Sequence, residues 1–582
     1  MRNQKRQPAD NRFGSGAPPA PRRKGPGFVW KRWHSALLIA GLVLLMLEVY
    51  SPALRGPMVF DDGYLVPGFT TRTLPAMFTG LRPLTYASLY FNNAQSGLET
   101  YSYHLWNVLL HVAAGLVAFR IVRRLLVLAG PSAAPAWLVA AFSAGVFLLH
   151  PLQTEGVAYI TSRSEVLSVF FAYAALAAFL KQEEAGISLA RSLGVLFLFG
   201  LGFLSKEHAA VLPAALIAAN YYWFPGFSFA GFRRNWRLYV LMAIGAAAGG
   251  ALVLRVLLAA DTAGFGLKDL PWHHYFWTQC RAIWVYLRLF VVPVGQSVDH
   301  EFALSRGPFD HLAALALLAL IALAAAAWIY RRRFPLASFG IFLFLILVAP
   351  TSSVVPIRDL LVERRFYLPS IGAILVAAEF VRRWRGSLPA QIAVLGGVLV
   401  FLGVAAHSRN AVWGSDLALW QDALAQAPQK ARPNEQVAFA LYQLGQCKES
   451  LPYFEKAVQM NPQGVTAMVN WSSALDCAGS TEAALPVALK AAAIDQTGNS
   501  FASLSVLYGK LGRTEEALKA ADRSIAIDPG NDTAFFNRGN IHRLANQPEK
   551  AAADYRRALE INPRNEAAQQ GLSALAGDAN RR

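Results

Sequence analysis

Between residues 35 and 406 the chain alternates long apolar runs with short polar loops. The runs fall at about 35–50, 103–127, 135–150, 164–180, 190–204, 209–224, 237–260, 309–330, 335–350, 366–382 and 388–406. A helix needs ~20 apolar residues to cross the hydrocarbon of a bilayer. In lipid the backbone polar groups must pair within the segment, so helices are the form these runs take. The pattern predicts an all-α, polytopic transmembrane bundle of about eleven crossings. One further stretch, 275–295, carries Arg281, Arg288 and Pro293 and reads as a re-entrant or interfacial helix without a net crossing.

From Asp416 the pattern becomes alanine-rich, charged and periodic. Pro428, Pro462, Pro529 and Pro563, with Gln496 where a proline would fall, are spaced 34, 34, 33 and 34 residues apart. Ala423, Ala457, Ala491, Ser524 and Ala558 each precede these marks by five residues. Small residues there let paired helices approach, and the proline stops the second helix. The array resembles the tetratricopeptide repeat: a half repeat at 416–430, full repeats near 431–464, 465–497, 498–531 and 532–565, and a cap helix at 566–577. Such a solenoid offers a concave surface to a peptide or protein partner.

Charge then sets orientation. The net charge is +18, yet only 15% of residues are charged, against roughly 25% in soluble proteins. Residues 1–33 hold nine Lys and Arg against the single acid Asp10, and form a basic tail expected to be disordered and cytoplasmic. No cleavable signal peptide is expected there. Further clusters at Arg120/Arg123/Arg124, Arg233/Arg234/Arg237, Arg331–Arg333 and Arg382/Arg383/Arg385 border apolar spans, as cytoplasmic flanks do. This distribution argues for membrane topology and against nucleic-acid binding. With the N-terminus inside, an odd number of crossings puts the repeats outside, in the periplasm of a bacterial inner-membrane protein. Of the three cysteines, Cys280 reads as packing; Cys447 and Cys477 sit in neighbouring repeats at non-equivalent positions, which leaves their pairing open.

On that topology the outer loops gather ionisable residues: Asp61 and Asp62 after the first span, then Arg82, His150, Glu155, Arg163, Lys206, Glu207, Glu363, Arg364 and Arg365. Ionisable groups near membrane depth are costly and more often functional than decorative. The plainer reading is local pairing, Lys206 with Glu207 and Arg358 with Asp359. His104, Asn107 and His111 share one helix face and read as a helix–helix polar contact. Asp299-His300-Glu301 suggests a metal set only weakly and reads as a solvated loop. No metal site is assigned, and the need for a divalent metal stays open.

The ordered set Phe60-Asp61-Asp62, Arg82-Pro83-Leu84-Thr85, His104-Leu105-Trp106-Asn107, His150-Pro151-x-x-Thr154-Glu155, Ser205-Lys206-Glu207 and Glu363-Arg364-Arg365-x-Tyr367-Leu368-Pro369 resembles membrane O-mannosyltransferases that carry tetratricopeptide repeats. The resemblance runs from about residue 55 to 565 and includes Arg409-Asn410-x-x-Trp413 and Leu419-Trp420. It implies a C-type glycosyltransferase domain at 34–408, a linker and half repeat at 409–430, and repeats with their cap at 431–577. It also implies a polyprenyl-phosphate sugar as donor substrate, and a catalytic acid/base at Asp61 or Asp62.

The residues suit that chemistry. An acceptor hydroxyl attacks the anomeric carbon through an oxocarbenium-like state, and a carboxylate takes its proton. Arg82, Arg163, Lys206, Arg364 and Arg365 are candidates to hold the leaving phosphate, with His150, Glu155, Glu207 and Glu363 in support. The expected partners are the lipid-linked sugar and an exported or periplasmic protein acceptor held by the repeats. Two rivals remain: an O-antigen or oligosaccharide ligase, and a non-enzymatic membrane-anchored repeat scaffold.

Overall fold

The structure, a computed structural model, describes residues 32–64, 81–182, 186–259 and 263–579. The basic tail lies almost wholly outside these residues. Among the described residues the fold is helical, with an isolated bridge between Ala263 and Ile357. Every one of the eleven apolar runs coincides with a helix. In chain order the helices are α1 (Arg32–Tyr50), α2 (Pro83–Ser96), α3 (Thr100–Leu128), α4 (Ala136–Leu149), α5 (Thr154–Ala158), α6 (Arg163–Phe179), α7 (Leu189–Ser205) and α8 (Leu212–Trp223). They continue as α9 (Ala230–Arg234), α10 (Trp236–Ala259), α11 (Trp272–Val291), α12 (Ala313–Ile329), α13 (Pro335–Val348), α14 (Ser370–Arg383) and α15 (Leu388–Ala411).

Not every run is long enough to span by itself. Four stretches are: Thr100–Leu128, Ile160–Phe179, Asp310–Ile329 and Leu388–Gly414. A fifth exists if Ala136–Leu149 and Pro151–Ala158, bent by 52°, form one span. Among the shorter helices, α13 has 14 residues, about 21 Å at 1.5 Å per residue, against ~30 Å of hydrocarbon. Among the described residues, length and composition support four or five spans, so the expected count of eleven is not reached there.

Packing follows the apolar faces. One large core joins α1, α3, α4, α6, α7, α8, α13, α14 and α15. Helices α13 and α14 cross closely because Gly340 meets Gly372: a Cβ on Gly340 would lie 2.5 Å from the Gly372 carbonyl oxygen. By contrast, α12 and α15 turn Leu315, Ile321, Val400 and Phe401 outward, which suits a lipid environment. Helix α11 occupies the stretch expected not to cross, and it is not one of the long apolar spans. Its Arg281 and Arg288 donate to the carbonyls of Ala303 (2.8 Å) and Val294 (2.9 Å), while Tyr275 and Tyr286 are buried.

After α16 (Asp416–Gln426), the repeats appear as helix pairs: Ala431–Gln443 with Cys447–Met460 (α17, α18), Val465–Cys477 with Thr481–Ile494 (α19, α20), Gly498–Lys510 with Thr514–Ile527 (α21, α22), and Asp532–Leu544 with Pro548–Ile561 (α23, α24). Glu566–Ala579 (α25) follows as the expected cap. The turn inside each pair uses a left-handed residue at an equivalent place: Gly445 (φ 76°), Gly479 (85°), Gly512 (74°) and Asn546 (56°). That conformation ends the first helix, and glycine or asparagine adopts it at least cost. Cys447, at the start of α18, and Cys477, at the end of α19, form a disulfide with their Cα atoms 5.9 Å apart.

The solenoid is tied to the bundle. Asp299 is buried and ion-pairs with Arg432 and with Lys430 Nζ (2.5 Å); Arg432 also reaches Asp359 (3.0 Å). The solvated-loop reading of 299–301 thus does not describe Asp299, whose charge is taken up by the entry to the first repeat. His300 Nε2 meets Glu363 at 2.9 Å, so neighbouring side chains serve separate contacts and do not converge as metal ligands.

Candidate functional site

The first loop begins with a short 3-10 turn, Phe60–Tyr64. Phe60 has left-handed backbone (φ 50°), as does Arg82 at the start of α2 (φ 61°). Such backbone in a non-glycine residue costs about 1–3 kcal/mol and concentrates at functional sites. Phe60 is held by rings from two directions: Tyr159 at 5.6 Å and Trp420, from the half repeat, at 4.8 Å between centroids. Gly56 completes the fit, because a Cβ there would sit 2.3 Å from the Trp413 carbonyl oxygen. The loop bearing the paired aspartates is thus clamped against the linker to the repeats.

That clamp sends the two aspartates different ways. Asp62 is fully buried, and its carboxylate accepts the N–H groups of Val59 (3.2 Å) and Thr161 (2.9 Å). Burial raises its pKa to about 7, against the opposing pull of those N–H groups. Asp61 is exposed; its backbone N–H donates to the Tyr159 hydroxyl at 3.0 Å. Its carboxylate has no partner among the described residues.

Three cations stand in the same neighbourhood, each paired with a carboxylate. Arg82 grips Glu207 with two bonds, 2.9 and 2.5 Å. Lys206 pairs with Glu165 of α6, and His208 Nδ1 approaches the same carboxylate at 3.3 Å. Arg364 pairs with Glu155 through its guanidinium and donates its backbone N–H at 2.9 Å. Its guanidinium also lies 5.5 Å from the Tyr159 ring centroid. The expected Lys206–Glu207 and Arg358–Asp359 pairs do not form. Arg358 reaches Asp269 instead (3.1 Å), and Glu207 turns to Arg82, because adjacent residues in a tight turn project to different sides.

These pairs feel one another. Burial lowers the pKa of Lys206; Glu165 opposes the shift, and the charges of Arg82 and Arg364 add to it. Burial works to raise Glu207, but Arg82 outweighs it and holds the carboxylate well below its ordinary range. Burial raises the Tyr159 phenol, and the Asp62 charge adds to that. Asp61, Asp62, Arg82, Glu155, Tyr159, Glu165, Lys206, Glu207 and Arg364 therefore form one electrostatic cluster, built from six separate segments.

The other candidates lie in supporting layers. Arg163, 2% exposed, is a strut: it donates to Asn107 Oδ1 (2.8 Å), Asn92 Oδ1 (2.8 Å) and the carbonyls of Tyr103 (2.9 Å) and Ser88 (3.3 Å). His150 donates its Nε2–H to the Phe290 carbonyl at 2.9 Å, accepts the Leu152 N–H at Nδ1, and stacks on the Phe290 ring. Glu363 accepts from Gln296, Ser297 and His300, and Arg365 donates to Tyr275 (3.2 Å) and the Asp359 carbonyl (2.6 Å). The His104/Asn107/His111 stripe does join segments: His104 to the Gly56 carbonyl (3.2 Å), Asn107 to Val157 (3.1 Å), His111 to Tyr367 (2.6 Å). Neither Tyr159 nor His208 is assigned a role by sequence. Tyr159 lies four residues beyond Glu155 of the His150-Pro151-x-x-Thr154-Glu155 motif, its only signal; His208 follows Ser205-Lys206-Glu207.

Tetratricopeptide-repeat families match residues 438–499, 499–531 and 533–565. Across 460 residues the chain is 25% identical to a protein O-mannosyl-transferase of Caenorhabditis elegans, covering 72% of this chain and 62% of that protein. Protein O-mannosyl-transferases of Mus musculus and Drosophila melanogaster are 23% and 25% identical over 552 and 557 residues, covering 83% and 79% of this chain and 57% and 58% of theirs. The chain thus spans less than two thirds of the length of these relatives. Over most of its own length it is similar to these protein O-mannosyl-transferases, with a tetratricopeptide-repeat array at its C-terminal end.

Proposed function

We propose that the protein is a membrane glycosyltransferase that moves a sugar, mannose-like in stereochemistry, from a polyprenyl phosphate to a protein hydroxyl. The supporting observation is the cluster itself: an exposed carboxylate, Asp61, beside a set of cations drawn together from distant segments. In this reading Asp61 takes the acceptor proton, a contribution of typically 10²–10⁴-fold. Asp62 fixes the turn through its bonds to Val59 and Thr161. Arg82, Lys206 and Arg364 stabilise the charge that grows on the leaving phosphate. Their carboxylate partners hold them in position beforehand, and the phosphate draws on the N–H donors those pairs leave unused. Arg163, Arg365, His150 and Glu363 act from the supporting layers by fixing the loops. In this reading a cytoplasmic N-terminus and an odd number of crossings would put this cluster and the repeats together on the periplasmic face of a bacterial inner membrane. The repeats then hold the acceptor, and the division at residues 408 and 430 separates catalysis from acceptor binding.

Comparison of glycan-bearing proteins by intact mass in cells expressing wild type or Asp61→Asn tests this. Asp61→Asn is expected to lose glycan product by at least 10²-fold at equal membrane abundance. Undiminished product would refute the base assignment. The repeat array also favours a second reading, a membrane-anchored scaffold without enzyme activity. For a scaffold, Asp61→Asn would leave partner binding and phenotype intact, and no glycan would depend on the wild-type protein.

A further inference from the structure

Helices α6 and α7 come close together where α7 ends. A Cβ on Gly202 would lie 3.4 Å from the Ser168 carbonyl oxygen and 3.5 Å from the Ala209 Cβ. That approach lays the turn bearing Lys206 and His208 against the opening of α6. Glu165 and Ser168 stand three residues apart on α6, so they share one face of the helix.

The His208 ring reaches both of them. Its Nδ1 lies 3.3 Å from Glu165 Oε2, and its Nε2 lies 3.1 Å from Ser168 Oγ. The other Glu165 oxygen, Oε1, takes the Lys206 ammonium. All three groups are buried: His208 is 5% exposed, Glu165 1% and Ser168 0%. Glu165 Oε2 accepts no aligned hydrogen bond from the described residues, and the imidazole stands within reach of it. A proton on Nδ1 therefore faces the carboxylate, which leaves Nε2 to accept the Ser168 hydroxyl. Serine, imidazole and carboxylate in this order also build acyl-transfer sites. Here the serine is sealed from substrate, and its part is to fix the ring's tautomer.

We infer that His208 is a positioning residue: through Glu165 it sets how firmly Lys206 is held, and so how far that ammonium serves the leaving phosphate. The two oxygens of Glu165 share one negative charge. An N–H directed at Oε2 stabilises that charge and draws it from Oε1, which loosens the hold on Lys206. An ammonium has three N–H donors, of which one goes to Glu165, and the Lys206 side chain is 12% exposed. The remaining donors are thus free to turn toward a ligand. The consequence for phosphate rests on the transferase reading above; the hold on Lys206 does not.

Trace acetylation of the full chain in detergent with acetic anhydride, read by peptide mass spectrometry, tests this. Labelling of Lys206 is measured against that of Lys519, whose side chain is 72% exposed. His208→Asn keeps an N–H where Nδ1–H stands, whereas His208→Gln places its N–H at the Nε2 position. Lys206 in His208→Asn is expected to label within about twofold of wild type. In His208→Gln it should label at least about threefold more slowly, because an unshared Glu165 keeps the amine protonated. Glycan product, compared by intact mass as for Asp61→Asn, should persist in His208→Asn and fall about tenfold in His208→Gln. Equal labelling in the two variants, or slower labelling in His208→Asn, would overturn the inference. So would faster labelling of Lys206 in His208→Gln, the mark of a turn that has come loose. The expected labelling with undiminished glycan in His208→Gln would overturn the link to phosphate. The expected labelling with no glycan dependent on the wild-type protein would uphold the hold on Lys206 and refute the transferase reading.

Discussion

Replacing Asp62 with asparagine tests the buried carboxylate that anchors the first loop. In the folded protein burial lifts this acid from 3.8 to about 7, while Val59 and Thr161 donate to its two oxygens. A folded value above the unfolded one means the proton is held more tightly in the native state. The stability tied to that proton is therefore full below pH 3.8, declines as the pH rises, and is gone once it passes 7. At 1.36 kcal/mol per tenfold in proton affinity, the difference amounts to roughly 4 kcal/mol at most. Asparagine cannot ionise and escapes that loss, but its single carbonyl oxygen replaces two acceptors, at a cost of about 1 kcal/mol. Asp62→Asn should thus be more stable than wild type by about 1–3 kcal/mol at pH 8 and less stable by about 1 kcal/mol at pH 4. Denaturant unfolding of the full chain in detergent, followed by tryptophan fluorescence at a series of pH values, gives both curves. Curves that cross support the reasoning; a variant weaker by the same amount at every pH would refute it.

Lys206→Met should destabilise the protein by about 3–5 kcal/mol, because it leaves the buried Glu165 with His208 alone at ion-pair distance. Adding Glu165→Gln should recover more than half of that in a double-mutant cycle, and an additive cycle would contradict the pairing. Replacing Cys447 and Cys477 by serine should cost the repeats about 3–4 kcal/mol, given a sequence separation of 30; a melt insensitive to the change or to reductant would argue against the bond. Asp299→Asn should loosen the entry to the repeats by removing the charge that Lys430 and Arg432 share. Limited proteolysis between residues 427 and 432 should then run about tenfold faster, and an unchanged rate would count against the tether.

Much of this architecture is legible in one dimension because it rests on local periodicity. Apolar runs announce helices, since each must satisfy its own backbone in lipid, and all eleven runs are helical. The repeats are legible for a related reason: each is one helix pair packing mainly on its neighbours, so spacing alone fixes its borders. Span number is less legible, because runs such as 335–350 are apolar yet yield a helix of only 14 residues. The polar contact made by His104, Asn107 and His111 was foreseen from helical spacing. Its partners Gly56, Val157 and Tyr367 could not be, lying in other segments.

The site divides along the same line. Residue type and order alone drew attention to Asp61, Asp62, Arg82, Lys206 and Arg364, because ionisable residues beside apolar spans are conspicuous. Which charge meets which was decided only by the fold: Lys206 finds Glu165 across 41 positions, and Arg364 finds Glu155 across 209. The exposure of Asp61 and the burial of Asp62 were likewise beyond the reach of sequence, since one turn separates two identical neighbours and only the packing of Phe60 and Tyr159 tells them apart. Sequence determines what recurs along the chain; the tertiary structure decides what meets across it, because ion pairing and burial depend on distance in space.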